Sequence, residues 1–155
     1  MSIELRPMRS DEFAEWKAQS VAAYATDMHE NGGVPRDAAD AKATSDFDGL
    51  LAAGVETTDQ FLHVIEEDGA VVGHLWTASR DSPTGRVLFV YEVRVAEQAR
   101  GRGFGRKAME FAEGFAREQG LGRIELNVMG GNEVARGLYR SLAYDEVAVY
   151  MGKTV

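Results

Sequence analysis

The spacing of hydrophobic residues changes several times along this chain, and each change marks an element. Residues 3–8 alternate apolar and polar side chains, as a first strand does. Ser10 then stands where a helix N-cap is expected, with Asp11 and Glu12 favourable in the first turn. Phe13, Trp16, Ser20 and Tyr24 recur on one face at helical spacing until Asn31-Gly32-Gly33 closes the helix. Pro35 and Asp37 open a second helix, predicted to run to about Ala53 with Phe47, Leu50 and Leu51 buried late in it. Residues 61–66 read as a strand, Glu67-Asp68-Gly69 as a tight turn, and residues 70–78 as the returning arm of a hairpin. A second turn, Asp81-Ser82-Pro83-Thr84-Gly85, leads into the apolar run 87–95.

The helical period returns over residues 103–119, where Phe104, Ala108, Phe111, Ala112 and Phe115 share a face and Gly120 supplies the stop. Residues 123–129 form a strand with Ile124, Leu126 and Val128 on one side. Gly130-Gly131-Asn132 leads into a short helix ending at Ser141, and residues 144–153 are predicted to give one or two final strands. The order is β-α-α-β-β-β-α-β-α-β-β, with antiparallel hairpins first and then a crossover helix joining two strands expected to be parallel. This is an α+β pattern without linker or repeat, which predicts one domain over residues 1–155.

Composition narrows the possible chemistry. The chain has no cysteine, so disulfides, thiolate metal sites and a cysteine nucleophile are excluded. His29, His63 and His74 lack metal-ligand spacing, and the latter two fall in strand-like runs where hydrogen-bonded structural histidines are expected. No metal is expected. A net charge of −8 argues against a sequence-independent nucleic-acid binder. No stretch approaches the ~20 apolar residues of a membrane span. The start, Met-Ser-Ile-Glu-Leu-Arg, lacks an apolar signal region, so a cytoplasmic protein is expected.

Charge is not evenly spread. Residues 94–107 carry Arg94, Arg100, Arg102, Arg106 and Lys107 against Glu97 alone, a local charge of +4, so the remainder of the chain sums to −12. Within this basic island, Arg100-Gly101-Arg102-Gly103-Phe104-Gly105 joins an apolar strand to an amphipathic helix. Unpaired N–H groups and the positive end of the helix dipole converge at such a turn, and glycines let a phosphate approach the backbone. The stretch points to a bound pyrophosphate. A dinucleotide-binding G-x-G-x-x-G would need glycine at Arg106, and the ~30 residues after Glu125 are too few for that fold's further strands. A G-x-x-x-x-G-K-[ST] loop also fails, because Arg106 stands five positions after Gly101.

Two motifs together resemble the GCN5-related N-acetyltransferase (GNAT) family. The first is Gln/Arg-x-x-Gly-x-Gly/Ala, matched by Arg100-Gly101-Arg102-Gly103-Phe104-Gly105. The second is matched by Asn132-Glu133-Val134-Ala135-Arg136-Gly137-Leu138-Tyr139, followed by Arg140-Ser141-Leu142-Ala143-Tyr144. Ala143 stands where family members often have glycine. The resemblance implies a three-layer fold of about four helices on a mixed, mostly antiparallel sheet, in which the strands flanking the glycine helix are parallel and splay apart. It implies transfer of an acetyl group from acetyl-coenzyme A to a primary amine. Residues 86–142 would then form the acetyl-coenzyme A core, and residues 1–60 the acceptor side.

That reaction needs a neutral amine. Deprotonating an alkylamine of pKa near 10.4 at pH 7 costs roughly 4.6 kcal/mol, so a base or a desolvating pocket is required. Glu92 is the candidate base, directly or through a water: it is the only acid in residues 87–95, and family members often carry a glutamate there. Simple alternation puts it on the face of Leu88 and Val90, opposite Tyr91 and Val93, and its structural alternative is a salt bridge to Arg94 or Arg123. The resemblance makes Tyr139 the acid that protonates the departing sulfur. It also assigns the pantetheine arm to backbone groups of Val93 and Val95, and the pyrophosphate to Arg100, Gly101, Arg102, Gly103, Phe104, Gly105 and Arg106. Asn132 would bond the cofactor arm, or cap its helix.

Residues 1–60 hold twelve acids and five basic residues, which favours a cationic acceptor, either a small amine or a peptide amine. Tyr24, Met28 and His29 are candidates to line its pocket, although aromatic stripes of this kind also build cores. Another function compatible with the same motifs is a non-catalytic module that senses coenzyme A or its acyl forms. A homodimer is possible, with residues 145–155 as a pairing edge.

Overall fold

The computed structural model describes residues 2–155. Strand β1 (Ile3–Pro7) is followed by a 3-10 turn at Ser10–Glu12 and by helices α1 (Phe13–Gly32) and α2 (Arg36–Leu50). Strands β2 (Gln60–Glu67), β3 (Ala70–Ser82) and β4 (Gly85–Val95) come next. Helix α3 (Phe104–Glu118), strand β5 (Ile124–Leu126) and helix α4 (Glu133–Ser141) complete the elements. The strands lie in the order β1-β2-β3-β4-β5, antiparallel except for the parallel β4/β5 pair. The expected α+β architecture is therefore present.

Burial explains the layers. One face of the sheet packs Leu62, Val64 and Trp76 against Trp16 of α1 and Phe47 of α2. The other packs Leu75, Leu88 and Val90 against Met109, Ala112 and Ala116 of α3. Trp16, Phe47 and Trp76 meet with ring centroids 5.0–5.8 Å apart, so the two long helices are locked to the sheet by aromatic contact as well as by area.

Four expectations need correction. Ser10 does not cap α1: it opens the 3-10 turn before the helix, where the Glu12 carboxylate accepts from the Arg9 backbone N–H at 2.9 Å, and the N-cap of α1 is Glu12, with no side-chain cap. Helix α2 ends at Leu50 rather than near Ala53. Strand β5 is three residues long, not seven. Residues 144–155 form no strand, since no neighbouring strand in this chain pairs with them. His63 and His74 do lie in strands, but their Nδ1 atoms are buried without a protein hydrogen bond. Burial lowers both pKa values, that of His74 to about 4, so the rings are neutral.

Candidate active site

Strand β4 carries an irregularity that decides which way its one acid points. Val90 pairs with Thr77 and Glu92 with Trp76, which leaves Tyr91 as an extra residue, a β-bulge. Without it, Glu92 would face α3 with Leu88 and Val90. With it, Tyr91 stacks on Trp76 at 4.5 Å while Glu92, one residue on, also reaches helix α1. Alternation alone therefore placed Glu92 on the wrong face.

The Glu92 carboxylate is enclosed. Its Oε1 accepts from Trp16 Nε1 and from Ser20 Oγ, each at 3.0 Å. Arg94 Nε lies 3.7 Å from Oε2, so the ion pair weighed against catalysis does form, with Arg94 rather than Arg123. Arg123 binds Glu125 at 2.7 Å. Burial pushes the Glu92 carboxyl above its ordinary range, while Arg94, Ser20 and Trp16 pull the other way. A cavity of about 340 Å³ opens beside Arg94, between the start of α1 and the ends of β3 and β4.

Next to this acid the sheet opens. Strands β4 and β5 pair only from Leu88↔Ile124 to Val90↔Leu126. From Tyr91 to Val95, the β5 side of β4 has no strand partner among the described residues, so Val93 and Val95 stand at a gap. At the far end of that gap lies the glycine loop. Gly101 and Gly103 have φ of 76° and 86°, and the space where a Cβ would stand is empty at both. Gly103 occupies the N-cap of α3, where no side chain caps and no acid sits in the first turn. The N–H groups of an uncapped helix start are thus free of local competitors, which fits an anion. The arginines of the loop have partners: Arg100 Nε donates to the Val95 carbonyl at 3.1 Å, Arg102 binds Glu67, and Arg106 donates to Ser141 Oγ at 2.6 Å. Phe104 is buried under the loop with Ile65 and Ala108. Gly105 lets Leu138 of α4 approach, for a Cβ there would be 3.3 Å from Leu138 Cδ2.

Helix α4 brings the second titrating group. Tyr139 is half-buried against the α3-side core, at 5.9 Å from the Tyr144 ring. Burial raises its phenol pKa, and the nearby Asp27 carboxylate raises it further. Asn132 does cap α4, its Oδ1 accepting from the Ala135 N–H at 3.2 Å. The end of α1 reaches this region too. Gly131 N donates to the Asn31 carbonyl at 3.2 Å, and a Cβ on Gly131 would stand 3.0 Å from that oxygen, so any side chain there would push the end of α1 back by a few tenths of an ångström.

Of the three residues expected to line an acceptor pocket, Tyr24 is half-buried, with Asp27 raising its phenol pKa less than burial does. Met28 is buried between α1 and α2 with Ala39 and Ala43. His29 Nδ1 binds the Val34 carbonyl at 2.8 Å in the α1–α2 turn. Asp27 was not singled out from sequence. Its signal was there: Trp16, Ser20, Tyr24, Asp27 and Asn31 continue one stripe at spacings of 4, 4, 3 and 4. Among the described residues no cluster of three or more His, Asp or Glu could hold a metal ion, and no helix is long and apolar enough to cross a membrane.

The comparisons with known proteins agree with this geometry. Residues 15–144 match the model of the acetyltransferase (GNAT) family. The uncharacterized N-acetyltransferase YycN of Bacillus subtilis is 28% identical over 154 residues, 99% of each chain. Its crystal structure superposes with a TM-score of 0.90 over 99% of both. A mycothiol acetyltransferase of Renibacterium salmoninarum is 31% identical over 146 residues, which is 92% of this chain and 40% of that protein. AAC(6')-Iy, solved with the bisubstrate analog CoA-S-monomethyl-acetylneamine, shares the fold at a TM-score of 0.68 and 15% identity, covering 100% of this chain and 99% of that one. With residues 15–144 matched by the family model, the chain belongs to the GNAT acetyltransferase family.

Proposed function

We propose that the protein moves an acetyl group from acetyl-coenzyme A to a primary amine of a cationic acceptor, the reacting nitrogen attacking directly in its neutral form. The observation that carries this reading is the placement of an enclosed carboxylate, Glu92, beside a gap in the sheet that runs to the uncapped start of α3. The loop 101–106 would hold the pyrophosphate, and backbone groups of Val93 and Val95 the pantetheine arm. Acetyl-coenzyme A would supply the activated acyl carbon.

The remaining roles belong to the chain's own residues. Glu92, its pKa raised by burial, is poised to accept the proton that the attacking nitrogen loses, directly or through a water. As the new C–N bond forms and the C–S bond breaks, Tyr139 gives its proton to the departing sulfur. Burial keeps that phenol protonated at neutral pH, as an acid must be. Backbone N–H groups at the gap would stabilise negative charge growing on the carbonyl oxygen.

For the acceptor, Asp27 is the group we assign to the ammonium. It follows Tyr24 by three residues on α1, on the same face, its carboxylate accepts from Asn31 Nδ2 at 2.7 Å, and it stands on a strongly acidic segment. A thiol-release assay with acetyl-coenzyme A across polyamines, aminoglycosides, lysine peptides and neutral amines tests the reading. Turnover with at least one cationic class and little with neutral amines is expected. Binding of coenzyme A without turnover on any amine would favour a sensor instead.

A further inference from the structure

Helix α4 carries Tyr139, yet it is lightly held. It is nine residues long, short of the ~12–15 that an isolated helix needs, and each of those residues keeps some solvent exposure. Its start is tied to its own flank: Asn132 caps the first turn, and Arg136 Nη1 donates to the Gly130 carbonyl at 2.9 Å. Tyr139 packs partly buried against the α3-side core, but apolar packing is non-directional and does not by itself fix where the hydroxyl stands.

The other end of α4 is clamped to the first turn of α3. Leu138 and Ser141, three residues apart and so on one face, meet two consecutive residues of that turn. Leu138 stands over Gly105, where an added Cβ would be 3.3 Å from Leu138 Cδ2. Ser141 Oγ accepts from Arg106 Nη2 at 2.6 Å and donates to the Leu138 carbonyl at 2.6 Å. One hydroxyl thus links a guanidinium of α3 to the peptide group that joins Leu138 to Tyr139.

We propose that Ser141 is a positioning residue: held by Arg106, it fixes the turn of α4 from which Tyr139 reaches the departing sulfur. The inference rests on the reading of Tyr139 as the acid. A phenol hands over its proton only within hydrogen-bond reach, so a small rotation of α4 costs turnover while the cofactor's own contacts persist. Arg106 then serves twice, with its backbone N–H toward the diphosphate and its side chain toward α4. Cofactor and acid are referred to one frame, the first turn of α3.

The test is steady-state kinetics with calorimetric titration of coenzyme A on Ser141→Ala, Tyr139→Phe and the double variant, each checked for folding by circular dichroism. Ser141→Ala is expected to lower kcat ~3–10-fold and to leave coenzyme A affinity within about 2-fold of the parent. Ser141→Thr keeps the hydroxyl and should restore most of the lost kcat. In the Tyr139→Phe background, Ser141→Ala should cost less than about 2-fold more, because no phenol remains to be placed. A merely structural serine would cost the same factor in both backgrounds, and that result overturns the proposal. So does an unchanged kcat in Ser141→Ala, or a parallel loss of coenzyme A affinity, which would assign the contact to the cofactor site. An unchanged kcat in Tyr139→Phe alone is a different failure: it removes the acid reading, and the proposal with it.

Discussion

Trp16 and Glu92 are joined across 76 residues of sequence by a 3.0 Å hydrogen bond in which the indole N–H donates to the carboxylate. The bond favours the charged form of Glu92 and so opposes the burial that raises its pKa. A base must be ionised to act, so kcat/KM should rise with pH through a midpoint above the ordinary glutamate range. Trp16→Phe removes a donor to the charged form, and that midpoint should move up by ~0.5–1 pH unit. Glu92→Gln should remove this limb altogether and lower kcat about 10²-fold. A pH–rate profile of the three proteins checks both, and an unmoved acid limb in Trp16→Phe would count against the base assignment.

Tyr139 makes the complementary case. Burial and Asp27 both raise its pKa, so the phenol should remain a proton donor through neutral and mildly basic pH. Tyr139→Phe is expected to lower kcat by ~10–100-fold while coenzyme A affinity stays within about 2-fold of the parent. Equal losses in turnover and cofactor affinity would instead mark it as a packing residue.

Asp27 separates acceptor recognition from chemistry. Its carboxylate accepts from Asn31 Nδ2 at 2.7 Å, and Asp27→Asn keeps the shape while removing the charge. The KM for a cationic amine should rise about 10-fold, with kcat and the KM for acetyl-coenzyme A changed far less. The effect should shrink for neutral amines and at high salt. Steady-state kinetics with one cationic and one neutral amine decides it.

The departure from the family's second motif has a structural consequence. Ala143, just past the end of α4, has φ of 66°, where the family often places glycine. An alanine side chain is strained there, so Ala143→Gly should stabilise the fold by about 0.5–1 kcal/mol and raise Tm by roughly 2–4 °C. A thermal melt checks this, and a lower Tm would contradict the argument.

Much of this was readable from the chain itself, for local reasons. The strand–glycine loop–helix around Gly101 and Gly103 is fixed by backbone conformations that few residues tolerate, and Asn132 caps a helix with its own side chain. Those features depend on near neighbours in sequence. Apart from the Ser10 cap and the end of α2, what failed depended on distant ones. Nothing in residues 87–95 announces that Tyr91 is bulged, because the bulge is defined against Trp76 on another strand. Met28 and Tyr24 share a helix and both pack against α2, yet Met28 is fully buried there and Tyr24 only half-buried, a difference that no local spacing announces. The run of residues 147–151 has a strand's composition and no partner strand in its own chain. The glycine-rich loop was legible as the start of a helix, but not that Arg102 is bound to Glu67 and Arg106 to Ser141.

The account rests on the loop from Gly101 to Arg106 and the start of α3 gripping a diphosphate. Calorimetric titration of coenzyme A into the purified protein tests this most directly. Association in the ~micromolar range, weakened at least ~10-fold by Gly103→Val, is expected. A titration that detects no association with coenzyme A or acetyl-coenzyme A would contradict it.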